Sequence, residues 1–195
     1  MRMNTGTYRH LRRNLDLPGH AHELTFSNFH GYKLLSKDRT RRWLVDALER
    51  ARRIHEFEIL AYVVMPEHAH VLLKPIHDDY KMSAIKKSIK QPVGTRAVKF
   101  LVKEKSPWLK RLTMERPGGR IERHFWQIGG GYDRNMISPQ VLRSAIDYIH
   151  ANPVRRGLVQ QPCDWTWSSA QWWEGSDDVP LVMDAPASLD LGRRA

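Results

Sequence analysis

Residues 57–75, Phe-Glu-Ile-Leu-Ala-Tyr-Val-Val-Met-Pro-Glu-His-Ala-His-Val-Leu-Leu-Lys-Pro, constrain the fold more than any other stretch of the chain. Two runs dense in Val, Leu and Ile, one over 57–65 and one over 68–73, are separated only by Pro66-Glu67. Side chains of this kind fit a pleated surface, and two such runs joined by a turn predict a β-hairpin near the centre of a sheet. Strand side chains alternate faces, so Ala69, Val71 and Leu73 face the core while His68 and His70 project together on the other side. Their Cα atoms then lie roughly 6.5–7 Å apart, a spacing at which two imidazoles can share a divalent ion. Such a pair is half a site, because a working metal needs a third protein ligand and an open position for substrate.

The elements around the hairpin follow from pattern and punctuation. Residues 21–27 predict a first strand. Ser36 is placed to cap a helix to about His55, whose apolar stripe is Trp43, Leu44, Ala47, Leu48, Ala51 and Ile54. Met82, Ile85, Ile89, Val93, Ala97 and Leu101 are spaced for a second helix, interrupted near Pro92–Gly94. Residues 123–128 predict a strand, and the glycines of 129–135 a loop that a ligand can approach closely. Ser138 with Pro139 opens a last helix, with a core stripe of Val141, Leu142, Ala145, Ile146 and Ile149, running up to Pro153. The expected organisation is a basic arm over 1–20, one globular domain over 21–173, and a disordered acidic tail over 174–195.

Charge points to a polyanionic partner. The chain carries +11 with neutral histidines; residues 174–195 hold five acidic and two basic side chains, which leaves about +14 on the first 173. Arg12 and Arg13 of the arm, Lys86, Lys87, Lys90 and Arg96 of the second helix, and Arg134 of the glycine loop are the candidate phosphate contacts. A lone cysteine, Cys163, permits no internal disulfide, and no apolar run reaches the length of a membrane span. A reducing cytoplasm is the expected compartment.

Tyr148 and Asn152 lie four apart on the last helix and therefore share a face. An amide oxygen is a hard, neutral donor, so His68, His70 and Asn152 together suit Mg²⁺ or Mn²⁺ with positions left for phosphate oxygens. Phenols are weak nucleophiles at neutral pH unless a base or a nearby cation assists, yet they carry phosphate well as a covalent ester. Residues 65–70 (Met-Pro-Glu-His-Ala-His), 125–127 (Phe-Trp-Gln) and 147–154 (Asp-Tyr-Ile-His-Ala-Asn-Pro-Val) resemble, in order and spacing, the single-tyrosine HUH transposases, particularly the REP-associated tyrosine transposases, over roughly residues 20–173. The resemblance implies a ferredoxin-like α+β fold, the HUH endonuclease fold, with helices packed on an antiparallel sheet. It implies a catalytic Tyr148 and a metal held by His68, His70 and Asn152. The implied reaction cleaves and rejoins single-stranded DNA at hairpins or palindromic repeats through a 5′-phosphotyrosine, by a monomer or homodimer. Ala69 departs from the bulkier apolar residue usual at that place, a change under the site and not in its ligands.

Other readings of the same residues stand beside this one. The histidines taken alone fit satisfied core residues, Asn152 fits a helix cap, and Tyr62 and Tyr132 are rival nucleophiles. The tryptophans after the last helix, Trp165, Trp167, Trp172 and Trp173, fit core sealing or base stacking. A non-catalytic, domesticated hairpin-binding protein is the alternative function, and hydrolysis by a metal-activated water, which gives Tyr148 no role, is a third.

Overall fold

Local pattern and long-range pairing agree over most of the chain. The computed structural model describes residues 16–129 and 131–184. In chain order these form β1 (Ala21–Ser27), α1 (Asp38–His55), β2 (Phe57–Val64), β3 (His68–Pro75), α2 (Met82–Lys103), the short α3 (Trp108–Arg111), β4 (Thr113–Arg116), β5 (Arg120–Arg123), β6 (Tyr132–Met136), α4 (Pro139–Arg155) and the short α5 (Ala170–Trp173). Four strands pair antiparallel in the order β2-β3-β1-β6, and β4 with β5 makes a separate hairpin. Without that hairpin the order β1-α1-β2-β3-α2-β6 is the split βαβ of ferredoxin-like folds, an α+β architecture with an antiparallel sheet.

The two faces of the sheet have different covers. Leu24, Phe26, Ala69 and Val71 are buried on the side of α1 and α2, with the Trp43 ring of α1 edge-on to Phe100 of α2. The opposite side carries His68 and His70 and receives α4, whose Leu142, Ala145, Ile146 and Ile149 are buried. Because helices press on both faces, β2 and β3 are almost wholly buried, which explains a hairpin rich in apolar residues at nearly every position.

Several local expectations change. β3 is internal, but β2 is an edge strand, and the segment after α4 protects that edge. Tyr62 accepts at its carbonyl from the Ser169 backbone N–H (3.0 Å), and the indoles of Trp165 and Trp173 donate to the carbonyls of Val64 and Leu60. The chain keeps packing beyond Glu174. Leu181 and Met183 are buried, and the Asp184 carboxylate accepts from the Ile59 N–H at 2.9 Å, so 174–184 is part of the globule rather than a disordered tail. An unprotected edge would leave strand donors and acceptors open, and this segment supplies their partners. Residues 185–195 lie outside the described residues.

α1 begins at Asp38 rather than after Ser36, whose hydroxyl donates to the Lys33 carbonyl, and Ile54 stays exposed. α2 runs unbroken through Pro92, which sits on its exposed side, where water can take the carbonyl that the missing N–H leaves. Residues 124–128 form no strand; they hold to the end of β1 by backbone bonds from Phe29 to Phe125 and from Gln127 to Ser27. The ladder strand is instead β6, where a loop was expected: once Gly131 turns, its residues pair with β1 from Thr25 to Ala21.

Candidate active site

Alternation along β1 and β3 places Glu23, Thr25 and Ser27 on the same face as His68 and His70, because Thr25 pairs with His70 and Ser27 with His68. The two imidazoles stand edge to face with ring centroids 4.9 Å apart. Each has its Nδ1 engaged: His70 with the Thr25 hydroxyl at 3.1 Å, and His68 with the Glu67 carboxylate at 3.3 Å. Both rings line one cleft with Nδ1 engaged, which leaves Nε2 as the nitrogen available to a ligand, and an outer oxygen on Nδ1 is the arrangement that orients a ligating histidine. Burial lowers the pKa of both rings. His70 falls to about 4, with His68 adding to the effect. For His68, Glu67 opposes the burial and Arg156 reinforces it. Both are thus neutral at pH 7, as metal ligands must be.

α4 brings the other two groups. Ser138 accepts from the Val141 N–H and Pro139 takes the first turn, so the helix starts where the sequence predicts, but it continues past Pro153 to Arg155. Pro153 has no N–H for the Ile149 carbonyl, and the Asn152 side-chain nitrogen leans on that carbonyl (3.5 Å) while donating to the Tyr148 carbonyl at 2.8 Å. With its nitrogen committed to the helix, the Asn152 amide keeps its oxygen for the cleft. Tyr148 is 43% exposed, and its ring lies 5.8 Å from the His70 ring, centroid to centroid. One cleft is lined by His68, His70, Tyr148 and Asn152 together.

Among the described residues no three His, Cys, Asp or Glu side chains converge. A metal here would rest on two neutral imidazoles and one amide oxygen, with its remaining positions open. That donor set fits a hard divalent ion that must also take phosphate oxygens.

The rival tyrosines separate by position. Tyr62 is fully buried, and burial pushes its phenol far up. Tyr132 is exposed at the mouth of an adjoining cavity and not in the cleft of His68. The tryptophans seal the core: Trp167, Trp172 and Trp173 are buried.

The predicted cations divide. Arg134 lines the cavity beside Tyr148. Lys86, Lys87, Lys90 and Arg96 belong to α2, on the far side of the sheet, so the structure does not gather them at the cleft. Lys86 is not on a solvated face at all: it donates to the buried Asp133 carboxylate at 3.0 Å. Burial lowers the pKa of Lys90, with Lys86 adding to it, and the Arg96 guanidinium stacks over Trp43. Arg12 and Arg13 lie outside the described residues. The cleft has its own cations, which sequence reasoning missed. Arg155 sits over the Tyr148 ring at 5.1 Å, and Arg156 reaches Glu67 at 3.5 Å. Arg155 follows Tyr148 by seven, two helical turns on one face, which is the signal that finds it. Glu23, Thr25 and Ser27 become visible only when the pairing of β1 with β3 is known.

No family model matches the chain. Among curated proteins, it is 26% identical over 186 residues to a Haemophilus influenzae protein provisionally described as a REP-associated tyrosine transposase, covering 86% of this chain and 99% of that one. It is 28% identical over 127 residues to the REP-associated tyrosine transposase of Escherichia coli K12, covering 63% of this chain and 60% of that one. A solved REP-associated tyrosine transposase bound to a REP hairpin superposes with a TM-score of 0.64 over 82% of both chains, at 23% identity, and shares the fold. Among the described residues no helix is long and apolar enough to cross a membrane.

Proposed function

We propose that this chain, whose curated homologues carry the name REP-associated tyrosine transposase, is a metal-dependent transesterase that cleaves and rejoins single-stranded DNA at hairpins or palindromic repeats. The observation that carries this reading is the exposed Tyr148 phenol beside His70, in one cleft with His68 and Asn152. Tyr148 supplies the nucleophile. Its phenolic oxygen attacks the scissile phosphorus, the bond from phosphorus to the 3′ oxygen breaks, and the strand is held as a 5′-phosphotyrosine with a free 3′-OH. The phenolic proton is released and the leaving 3′ oxygen takes one up, so the step is balanced. Attack by a 3′-OH on the phosphotyrosine reverses the exchange with no external energy source. A divalent ion, Mg²⁺ or Mn²⁺, held by His68, His70 and Asn152 would polarise the phosphate as a Lewis acid. Arg155 and Arg156 attract the phosphodiester to the cleft and offer forked donors to its oxygens. Arg134 binds DNA from the adjoining cavity, and Lys87, Lys90 and Arg96 contact backbone on the other face.

The test is detection on a denaturing gel of a protein–DNA adduct, using wild type and Tyr148→Phe with hairpin-bearing single strands in Mg²⁺, in Mn²⁺ or in chelator. An adduct that requires both the metal and Tyr148 supports the proposal. Tight binding with no adduct and no cleavage points to a hairpin-binding module. Cleavage that persists in Tyr148→Phe points to water as the nucleophile.

A further inference from the structure

Beside the cleft, between α4 and the β1–β6 side of the sheet, lies a second cavity of about 660 Å³, within the ~300–1,000 Å³ span of small-ligand sites. It shares Thr25, His70 and Tyr148 with the cleft, so the two adjoin at Tyr148. The two lobes differ in charge. The cleft is lined by Arg155 and Arg156, whereas the cavity sets the carboxyl group of Glu23 beside Arg134, its cross-strand partner on β6.

Glu23 presents an acceptor to the cavity. Its side chain is 8% exposed; His70 Nδ1 at 4.0 Å is too far for a hydrogen bond and already engaged by Thr25 at 3.1 Å, and Arg134, opposite it on β6, acts on it electrostatically. Among the described residues no hydrogen bond satisfies it. A ligand that donates to it adds a hydrogen bond that the described residues do not supply. Around it are the flat groups that hold a base: the exposed rings of Tyr132 and Tyr148 at the mouth, and Val141 and Ala145 on the α4 wall.

We infer that this cavity is a subsite for one unpaired nucleobase next to the scissile phosphate, and that Glu23 selects a base bearing an exocyclic amine. Cytosine presents that amine to a carboxylate, as do adenine and guanine. Thymine and uracil present carbonyls on either side of their one ring N–H, and the carboxylate rejects them. The inference rests on the single-strand reading above and gives it a sequence preference at one position.

The test is equilibrium binding by fluorescence anisotropy, in chelator, of short thymidylate oligonucleotides carrying one central deoxycytidine or one central deoxyuridine. These differ at the amine and its tautomeric ring nitrogen and are otherwise alike in shape. Wild type should prefer the cytosine strand by about tenfold, the low end of what one good base contact discriminates. Glu23→Gln, which offers both a donor and an acceptor, should bring that preference below about threefold while keeping the same thermal melt. Ser144→Trp, on the exposed face of α4 where it lines the cavity, puts a large ring into it while leaving Glu23 in the chain, and should weaken both strands and erase the preference. No preference in wild type, or an undiminished one in Glu23→Gln, overturns the inference. The adduct assay run in parallel separates the two ideas. Tyr148-dependent adducts without base preference leave the transesterase and remove the subsite; preference without adducts does the reverse.

Discussion

Substitution of Gly131 by alanine should damage the sheet and the cleft together. Gly131 has φ +73°, and a Cβ built there would lie 2.6 Å from the Thr25 carbonyl oxygen, a backbone atom that cannot rotate away. Gly119, in the β4–β5 turn, has nearly the same φ, +77°, with nothing within 4 Å of its Cβ. Both alanines bear the left-handed backbone cost of roughly 1–2 kcal/mol, and both lose the same unfolded-chain entropy. The difference between them isolates the clash. Relief requires β6 to shift from β1 where Thr25 pairs with Tyr132, at the cost of about one ladder hydrogen bond plus local strain, or about 1–3 kcal/mol beyond Gly119→Ala. Urea unfolding at constant m-value measures this directly. The same shift moves the Thr25 hydroxyl from His70, so the ¹⁵N shift of His70 Nδ1 should change in Gly131→Ala and not in Gly119→Ala. Equal losses of stability in the two variants, to within about 0.5 kcal/mol, would refute the argument.

Other outcomes follow from the buried polar groups. Burial lowers His70 and His150 from 6.5 to about 4. The unfolded chain therefore binds more protons between those limits, and their contribution, complete above about pH 6.5, is lost as the pH falls toward 4. From pH 7 to pH 5 this is about 2 kcal/mol per histidine. His150→Gln should flatten the decline by about half, and a slope unchanged from wild type counts against it. Ending the chain after Trp173 removes Leu181, Met183 and the Asp184 acceptor of Ile59, and should cost about 3–6 kcal/mol; an unaltered thermal midpoint would mean the segment adds nothing. The Asp133 carboxylate is opposed by burial, yet hydrogen bonds from His22 and Lys86 hold its pKa below the usual range. Asp133→Ala strands both partners and should cost about 3–5 kcal/mol in urea unfolding; a loss under about 1 kcal/mol would show that the network relaxes freely.

Periodicity and spacing along the chain determined whatever depends on neighbours in sequence. The apolar runs over 57–75 could only be strands buried on both faces, Ser138-Pro139 could only start a helix, and the four-residue spacing puts Tyr148 beside Asn152 on any helix. Those patterns are local, and they survive folding because the core accepts the faces they define. Other features were decided by partners distant in sequence. Residues 132–136 carry little strand pattern, yet they pair because β1 has an open edge and Gly131 delivers them to it. Residues 174–184 look too polar to pack, but β2 needs its edge covered. Lys86 matches a solvated helical face until Asp133, forty-seven residues away, is folded beneath it. The cleft divides in the same way. His68, His70, Tyr148 and Asn152 are legible because each pair lies within one element, whereas Thr25 joins them, and Glu23 the adjoining cavity, only through the register of β1 on β3. Register is set by burial of whole faces, a property of the folded sheet that no single segment contains.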